Sequence, residues 1–197
     1  VIQGRECSQQ QRKNNCFYKK WSNDNYDCYF WYNGIEQYCF LIMDKFDYMK
    51  YALSLAKQSA EEGEVPVGAI VVCDGKIVGE GRNRREVVKN ALHHAEIEAI
   101  NEACKNLGGW RLWKCDLYVT LEPCPMCAGA IINSRIKNVY FGATDMKNGA
   151  VISAAQLFDM NFTHKPLYEG GIMGEECAEI LSTFFKDLRK QKAGEEK

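Results

Sequence analysis

The stretch Thr120-Leu121-Glu122-Pro123-Cys124-Pro125-Met126-Cys127-Ala128-Gly129-Ala130-Ile131 constrains this chain more than any other. It leads from the end of an apolar strand pattern, through a Cys-x-x-Cys pair, into a run of small residues that reads as a helix. Cysteines three positions apart stand one helical turn from each other, so both thiols can reach one point. At a helix N-terminus they are drawn toward the thiolate, because unpaired N–H groups and the helix dipole favour negative charge. Thiolate is the form that binds metal. Alone, a Cys-x-x-Cys suits a redox pair, or two unrelated cysteines, as well.

His94-Ala95-Glu96 stands thirty positions before the first of these cysteines. Three soft or borderline protein ligands with a fourth position left open are the layout of a catalytic zinc site, whereas four would make a closed structural one. His94, Cys124 and Cys127 supply three, no convincing fourth is present, and water is expected in the remaining place. The expected cofactor is one zinc ion per subunit. Glu96 then lies beside the metal, placed to take a proton from that water and pass it on.

The 197 residues with 46% hydrophobic content can bury one good core. A net charge of −1 removes any global basic signature for nucleic acid, so contact with a polyanion has to come from local patches. No apolar run approaches the length of a membrane span, and no signal-peptide pattern appears. Ten cysteines in such a chain are therefore read as reduced thiols of a soluble, cytoplasmic protein.

Residues 1–42 differ from the rest. They hold 10 of the 23 aromatic residues and four of the ten cysteines, with few aliphatics and no persisting helical or strand period. Cys7, Cys16, Cys28 and Cys39 lack the short paired spacing of a zinc module and are read as incidental. The expectation is an atypical leader, disordered or foreign to the native protein, with Met43 as the functional start. Residues 43–192 would form the functional domain, and 193–197 a tail.

Past Met43 the patterns become ordinary. Phe46, Met49, Leu53 and Ala56 recur at helical spacing between Asp44 and Gly63. Val65 to Cys73 is β-branched, Asp74-Gly75 is a hairpin turn signal, and Lys76 to Gly81 reads as the returning strand. Asn83 to His93 is a polar loop, followed by a helix from Ala95 to about Asn106 that Gly108-Gly109 breaks. Strands are expected at Leu117–Leu121 and Lys137–Ala143, with the Cys-pair helix between them and a short last strand near Tyr168. An amphipathic helix from Gly174 to about Lys192 closes the chain. This order implies an α/β fold of three layers, α/β/α, with a central mixed five-stranded sheet and helices on both faces. His94 and the Cys pair would open two helices whose N-termini converge at one end of that sheet.

From Met43 to about Lys192 the chain resembles the bacterial tRNA-specific adenosine deaminases of the cytidine-deaminase superfamily. The resemblance rests on Glu64-Val65-Pro66-Val67-Gly68-Ala69, Gly81-Arg82-Asn83-Arg84, His94-Ala95-Glu96-Ile97-Glu98-Ala99 and above all the stretch around the Cys pair. Ser134-Arg135-Ile136 and Phe141-Gly142-Ala143-Thr144-Asp145 continue in register. His-x-Glu followed by Pro-Cys-x-x-Cys is itself the signature of zinc deaminases acting on nucleobases. Asn90-Ala91-Leu92-His93, Ile152-Ser153 and Thr163-His164 depart from the usual wording of the loops around the substrate groove.

The resemblance implies a cytidine-deaminase-like fold and a homodimer that converts adenosine to inosine at the wobble position of a tRNA anticodon stem-loop. Water activated by zinc would attack C6 of the flipped-out adenine, with Glu96 carrying protons to the ring and to the departing ammonia. It also implies substrate contacts for Asn83, Asp145 and the backbone N–H near Ala95. Arg84, with Arg85 and Lys89 in the same loop before His94, is read as a phosphate contact, and Phe185, within the final helix that carries Lys186, Arg189, Lys190 and Lys192, as a base-stacking residue. For Phe184 and Phe185 core packing stands beside that reading. His93 lacks a glutamate two positions on and is read as a loop side chain; Cys73, Cys104, Cys115 and Cys177 are read as core.

Three other functions compete. A free-base or nucleotide deaminase, acting on guanine, cytosine or deoxycytidylate, shares both metal motifs. A non-catalytic zinc-stabilised RNA-binding protein would need no unligated carboxylate such as Glu96. A disulfide oxidoreductase would use the Cys pair without metal.

Overall fold

The computed structural model describes residues 10–13, 16–23, 26–32, 37–41 and 43–195. The chain divides into two units, residues 1–44 and 45–197. Four strands make up the first: β1 (Gln10–Lys13), β2 (Cys16–Asn23), β3 (Tyr26–Tyr32) and β4 (Gln37–Leu41), paired antiparallel in chain order. The missing strand period of this stretch has a local cause. Runs such as Tyr29-Phe30-Trp31-Tyr32 carry strong β preference without polar alternation, so the period-2 signal is lost. The reading of Cys7, Cys16, Cys28 and Cys39 concerns side chains outside the described residues.

The second unit follows the expected order closely. Helix α1 (Lys45–Glu61) leads into the hairpin β5 (Gly68–Cys73) and β6 (Lys76–Arg82). A short helix α2 (Arg85–Val88) precedes α3 (Ala95–Leu107) and β7 (Cys115–Leu121). Then come α4 (Pro125–Ser134), β8 (Asn138–Ala143), β9 (Leu167–Gly170) and α5 (Gly174–Glu195). The loop read from Asn83 to His93 thus contains α2, and α5 runs three residues into the stretch read as a tail.

The strands lie in the order β6-β5-β7-β8-β9. β5 is antiparallel to both neighbours, while β7, β8 and β9 are parallel. A parallel pair needs a crossover, and α4 supplies the one between β7 and β8. On one face α3 and α4 pack over Ala69, Val71, Leu117, Val119, Val139 and Phe141; on the other lie Met49, Ala52 and Leu53 of α1 with Cys177 of α5. Burial of each Leu, Ile or Val there contributes about 1.5–3 kcal/mol. Phe46 is not part of this core and stays 45% exposed. Among the described residues no helix is long and apolar enough to cross a membrane.

Two glycines let α3 lie against the sheet edge. A Cβ on Gly79 would run into the Ala99 carbonyl, and one on Gly81 into the carbonyl of Ala95, the first residue of α3. Both clashes are with backbone, which cannot rotate away. Gly81→Ala is therefore expected to cost about 1–3 kcal/mol by forcing α3 outward. A fall in the urea midpoint checks this, and an unchanged midpoint would contradict the close packing.

Candidate active site

The two N-termini expected to converge do so. His94 is the N-cap of α3 and Cys124 the N-cap of α4, both extended (φ −81°, ψ 153° and φ −72°, ψ 171°). Their carbonyls begin the helices, accepting from Glu98 N at 3.1 Å and Ala128 N at 2.8 Å. Neither side chain caps its own helix, which leaves the imidazole and the thiol for another partner. Pro125 at the first helical position loses no hydrogen bond there, since that N–H would have no helical acceptor.

His94 Nδ1 lies 3.7 Å from Cys124 Sγ and 3.5 Å from Cys127 Sγ, and the three ligand atoms lie within 4.8 Å of one another. Tetrahedral zinc, with Zn–N of about 2.0 Å and Zn–S of about 2.3 Å, sets nitrogen and sulfur about 3.5 Å apart. The donors therefore fit a zinc ion in number, chemistry and spacing. No other His/Cys/Asp/Glu group among the described residues could hold a metal.

Charge is unevenly divided among these donors. The Cys124 thiol is brought down to about 4, chiefly by the hydrogen bond from Cys127, which outweighs desolvation and is joined by His94. Cys127 is pushed up by that same bond and by burial, so the pair shares one proton. His94 is raised by its bond to Cys124. Glu96 is buried beside them, and desolvation raises its carboxyl above the usual range. A carboxyl so placed can hold a proton and release it, which is the property general acid–base chemistry requires.

These groups open into a cavity of about 1000 Å³. Asn83, Ala95, Asp145 and Phe185 line it with His94, Glu96 and Cys124, so the structure brings together most of the residues singled out from sequence. Phe185 is 40% exposed, in keeping with a contact residue more than a core one. Arg84 does not line the cavity. Its Nε lies 3.2 Å from Glu62 Oε2, and the neighbouring Arg85, with Arg189 of α5, takes a place in the wall. His93 turns to Glu98 at 3.2 Å. Cys115 and Cys177 are buried as expected, while Cys73 and Cys104 are only partly so.

Two buried glutamates that sequence reasoning passed over support the walls. Glu64 accepts from Asn83 Nδ2 at 3.1 Å and Val87 N at 2.8 Å. Glu122 holds the loop between β8 and β9: its Oε1 accepts from Val151 N (3.1 Å), Ile152 N (2.8 Å) and Ser153 N (3.0 Å). Its Oε2 accepts from Asp145 N at 3.1 Å and from the Ser153 hydroxyl. Burial works to raise this carboxyl, but the donors led by Ile152 N overcome it and hold it below the ordinary value. Glu122→Ala strands several buried N–H groups and is expected to cost about 2–4 kcal/mol. Faster amide exchange across 145–153 should accompany the loss.

Comparisons with known proteins give the family. The family model of the MafB19-like deaminases matches residues 43–189. A tRNA-specific adenosine deaminase of Bacillus subtilis (strain 168) is 48% identical over 146 residues, 74% of this chain and 91% of that protein. This chain belongs to the tRNA-specific adenosine deaminase family. A solved structure from work on A-to-I editing by tRNA:A34 deaminases at the wobble position of transfer RNA matches this deaminase with a TM-score of 0.67. It is 44% identical and covers 68% of this chain and 98% of its own. A guanine deaminase from Bacillus subtilis matches less well, at 32% identity and a TM-score of 0.50, over 61% of this chain and 88% of its own. The proteins named as tRNA deaminases thus match this chain better than this guanine deaminase.

Proposed function

We propose that residues 43–192 hydrolyse adenosine to inosine at position 34 of a tRNA anticodon, in the cytoplasm, as a homodimer with one zinc per subunit. One observation carries this reading. A buried glutamate stands beside a His/Cys/Cys group inside a cavity that extends to Arg85, Phe185 and Arg189. Its volume lies at the upper end of small-molecule sites, about 300–1000 Å³, and leaves space for nucleotides flanking the reacting base.

His94, Cys124 and Cys127 would hold the zinc. When bound, it supplies Lewis acidity that makes a water molecule nucleophilic at neutral pH. Glu96 accepts the proton released as water adds to C6 and delivers it to the ring nitrogen. Glu96 then takes the proton of the hydroxyl on C6 and passes it to the amino group; the C6–N6 bond breaks, ammonia leaves with that bonding pair, and the C6 oxygen becomes the carbonyl of inosine. Asn83 orients the base through its amide, and the backbone N–H of Ala95, at the start of α3, faces no helical acceptor and can stabilise developing negative charge. Asp145 shapes its loop, accepting from Lys147 N and Asn148 N at 3.0 Å each, and brings that turn to the ribose side of the groove. Phosphate contact falls to Arg85 and Arg189, with Phe185 as a stacking platform. Arg84 would join them only by leaving Glu62.

The test is inosine formation on an adenosine-34 anticodon stem-loop, run beside free guanine, cytosine and deoxycytidylate. Inosine at the wobble position alone is the expected result. Turnover of a free base or nucleotide only would keep the metal chemistry and overturn the RNA assignment.

A further inference from the structure

Glu64 lines no part of the cavity, yet it is only 1% exposed and both of its carboxylate oxygens are engaged. Oε2 accepts from Asn83 Nδ2 at 3.1 Å, and Oε1 accepts from Val87 N at 2.8 Å. Val87 is the third residue of α2, so the second bond satisfies an N–H that the helix itself cannot, in a helix whose Arg84 N-cap gives no side-chain bond. The main chain of Asn83 is held as well. Its N–H donates to Val67 O at 3.0 Å, and its carbonyl accepts from the Ser59 hydroxyl at 2.6 Å.

A carboxylate accepts and never donates, whereas an amide has one face of each kind. Asn83 can therefore meet Glu64 only through Nδ2, which leaves Oδ1 and the second Nδ2 hydrogen in one fixed order for a ligand in the cavity. We propose that Glu64 is a positioning residue that sets the polarity of the Asn83 amide, and so selects a base edge carrying a donor beside an acceptor. This rests on the adenosine reading above. Adenine presents such an edge at N6–H and N7, and on that same edge guanine presents two acceptors, N7 and O6.

The geometry makes the proposal testable with a substitution that keeps shape. In Glu64→Gln the Val87 N–H still requires an oxygen, which leaves the new NH2 facing Asn83 Nδ2, donor against donor. The relief is a flip of Asn83, which turns the wrong group to the substrate. The zinc-loaded full-length protein is expected to lose about 10- to 100-fold in kcat/KM on the adenosine-34 stem-loop, with zinc content unchanged. Replacing N7 of the target adenine by CH, as 7-deazaadenosine at position 34, should slow the wild type by at least about tenfold and slow Glu64→Gln much less, because the flipped amide no longer donates to N7. A purely structural role predicts the same penalty in both proteins.

Wild-type kcat/KM in Glu64→Gln, loss of zinc with activity, or an equal 7-deaza penalty in the two proteins would each overturn the proposal. Wild-type protein that makes no inosine would instead overturn the function it rests on. Should Glu64→Gln not fold, side-chain amide exchange in the wild type decides. One Asn83 Nδ2 proton should exchange slowly, held by Glu64, and two fast protons would refute the clamp.

Discussion

Glu96→Gln is expected to abolish most deaminase activity, lowering kcat by at least about 10²- to 10⁴-fold while zinc stays bound. The amide keeps the volume of the carboxyl but can neither accept nor release a proton at neutral pH. Its effect on stability should run the other way. Glu96 is 4% exposed, and burial raises its carboxyl, so the native site carries a group that would be easier to bury neutral. The variant should melt at the same temperature or slightly higher, a trade of stability for function. Turnover within about tenfold of wild type would remove Glu96 from the chemistry.

The second large effect concerns the metal. Chelation, or Cys127→Ser, should abolish inosine formation and lower the melting temperature together. The donors lie at the starts of α3 and α4, so an ion joining them fastens two helices across one face of the sheet. A ligand held at about 1,000 times its Kd stabilises by about 4.1 kcal/mol, and a domain of this size shifts by about 2–4 °C per kcal/mol, or about 10 °C. Readdition of zinc should restore both quantities after chelation. Full turnover by metal-free protein would rule the site out as a zinc centre.

What could be seen in the sequence, and what could not, follows from how each residue acts. His94, Cys124 and Cys127 were legible because metal chemistry demands particular atoms at short spacings, and these survive as Cys-x-x-Cys and His-x-Glu. The helices and the five-stranded sheet were legible because apolar spacing reports a buried face. Glu64 and Glu122 were not. Their partners are backbone N–H groups and an amide lying 19 to 31 positions away in the chain, and a backbone N–H leaves no mark in a sequence. The exchange of Arg84 for Arg85 in the cavity wall has a similar origin. Helix α2 is capped from a distance by Glu64, so nothing local announced that this segment would turn and present alternate residues.

The way Glu122 holds its loop separates form from wording. It grips Asp145, Val151, Ile152 and Ser153 by their main chain, with the Ser153 hydroxyl as the sole side-chain tie. Gly149 adds one more restriction, since a Cβ there would strike the Glu122 carboxylate itself. Positions such as Met146, Lys147 and Asn148, which face the cavity, carry no part of that grip on Glu122. The Asn148 side chain does tie the loop, donating from Nδ2 to Asp145 Oδ2 at 3.2 Å. The side chains of Met146 and Lys147 can be exchanged without redrawing the path of the chain. A panel of variants at 146 and 147 should then retune which anticodon loops are accepted while leaving the melting temperature in place, a division of labour that suits an enzyme adapting to new RNA partners.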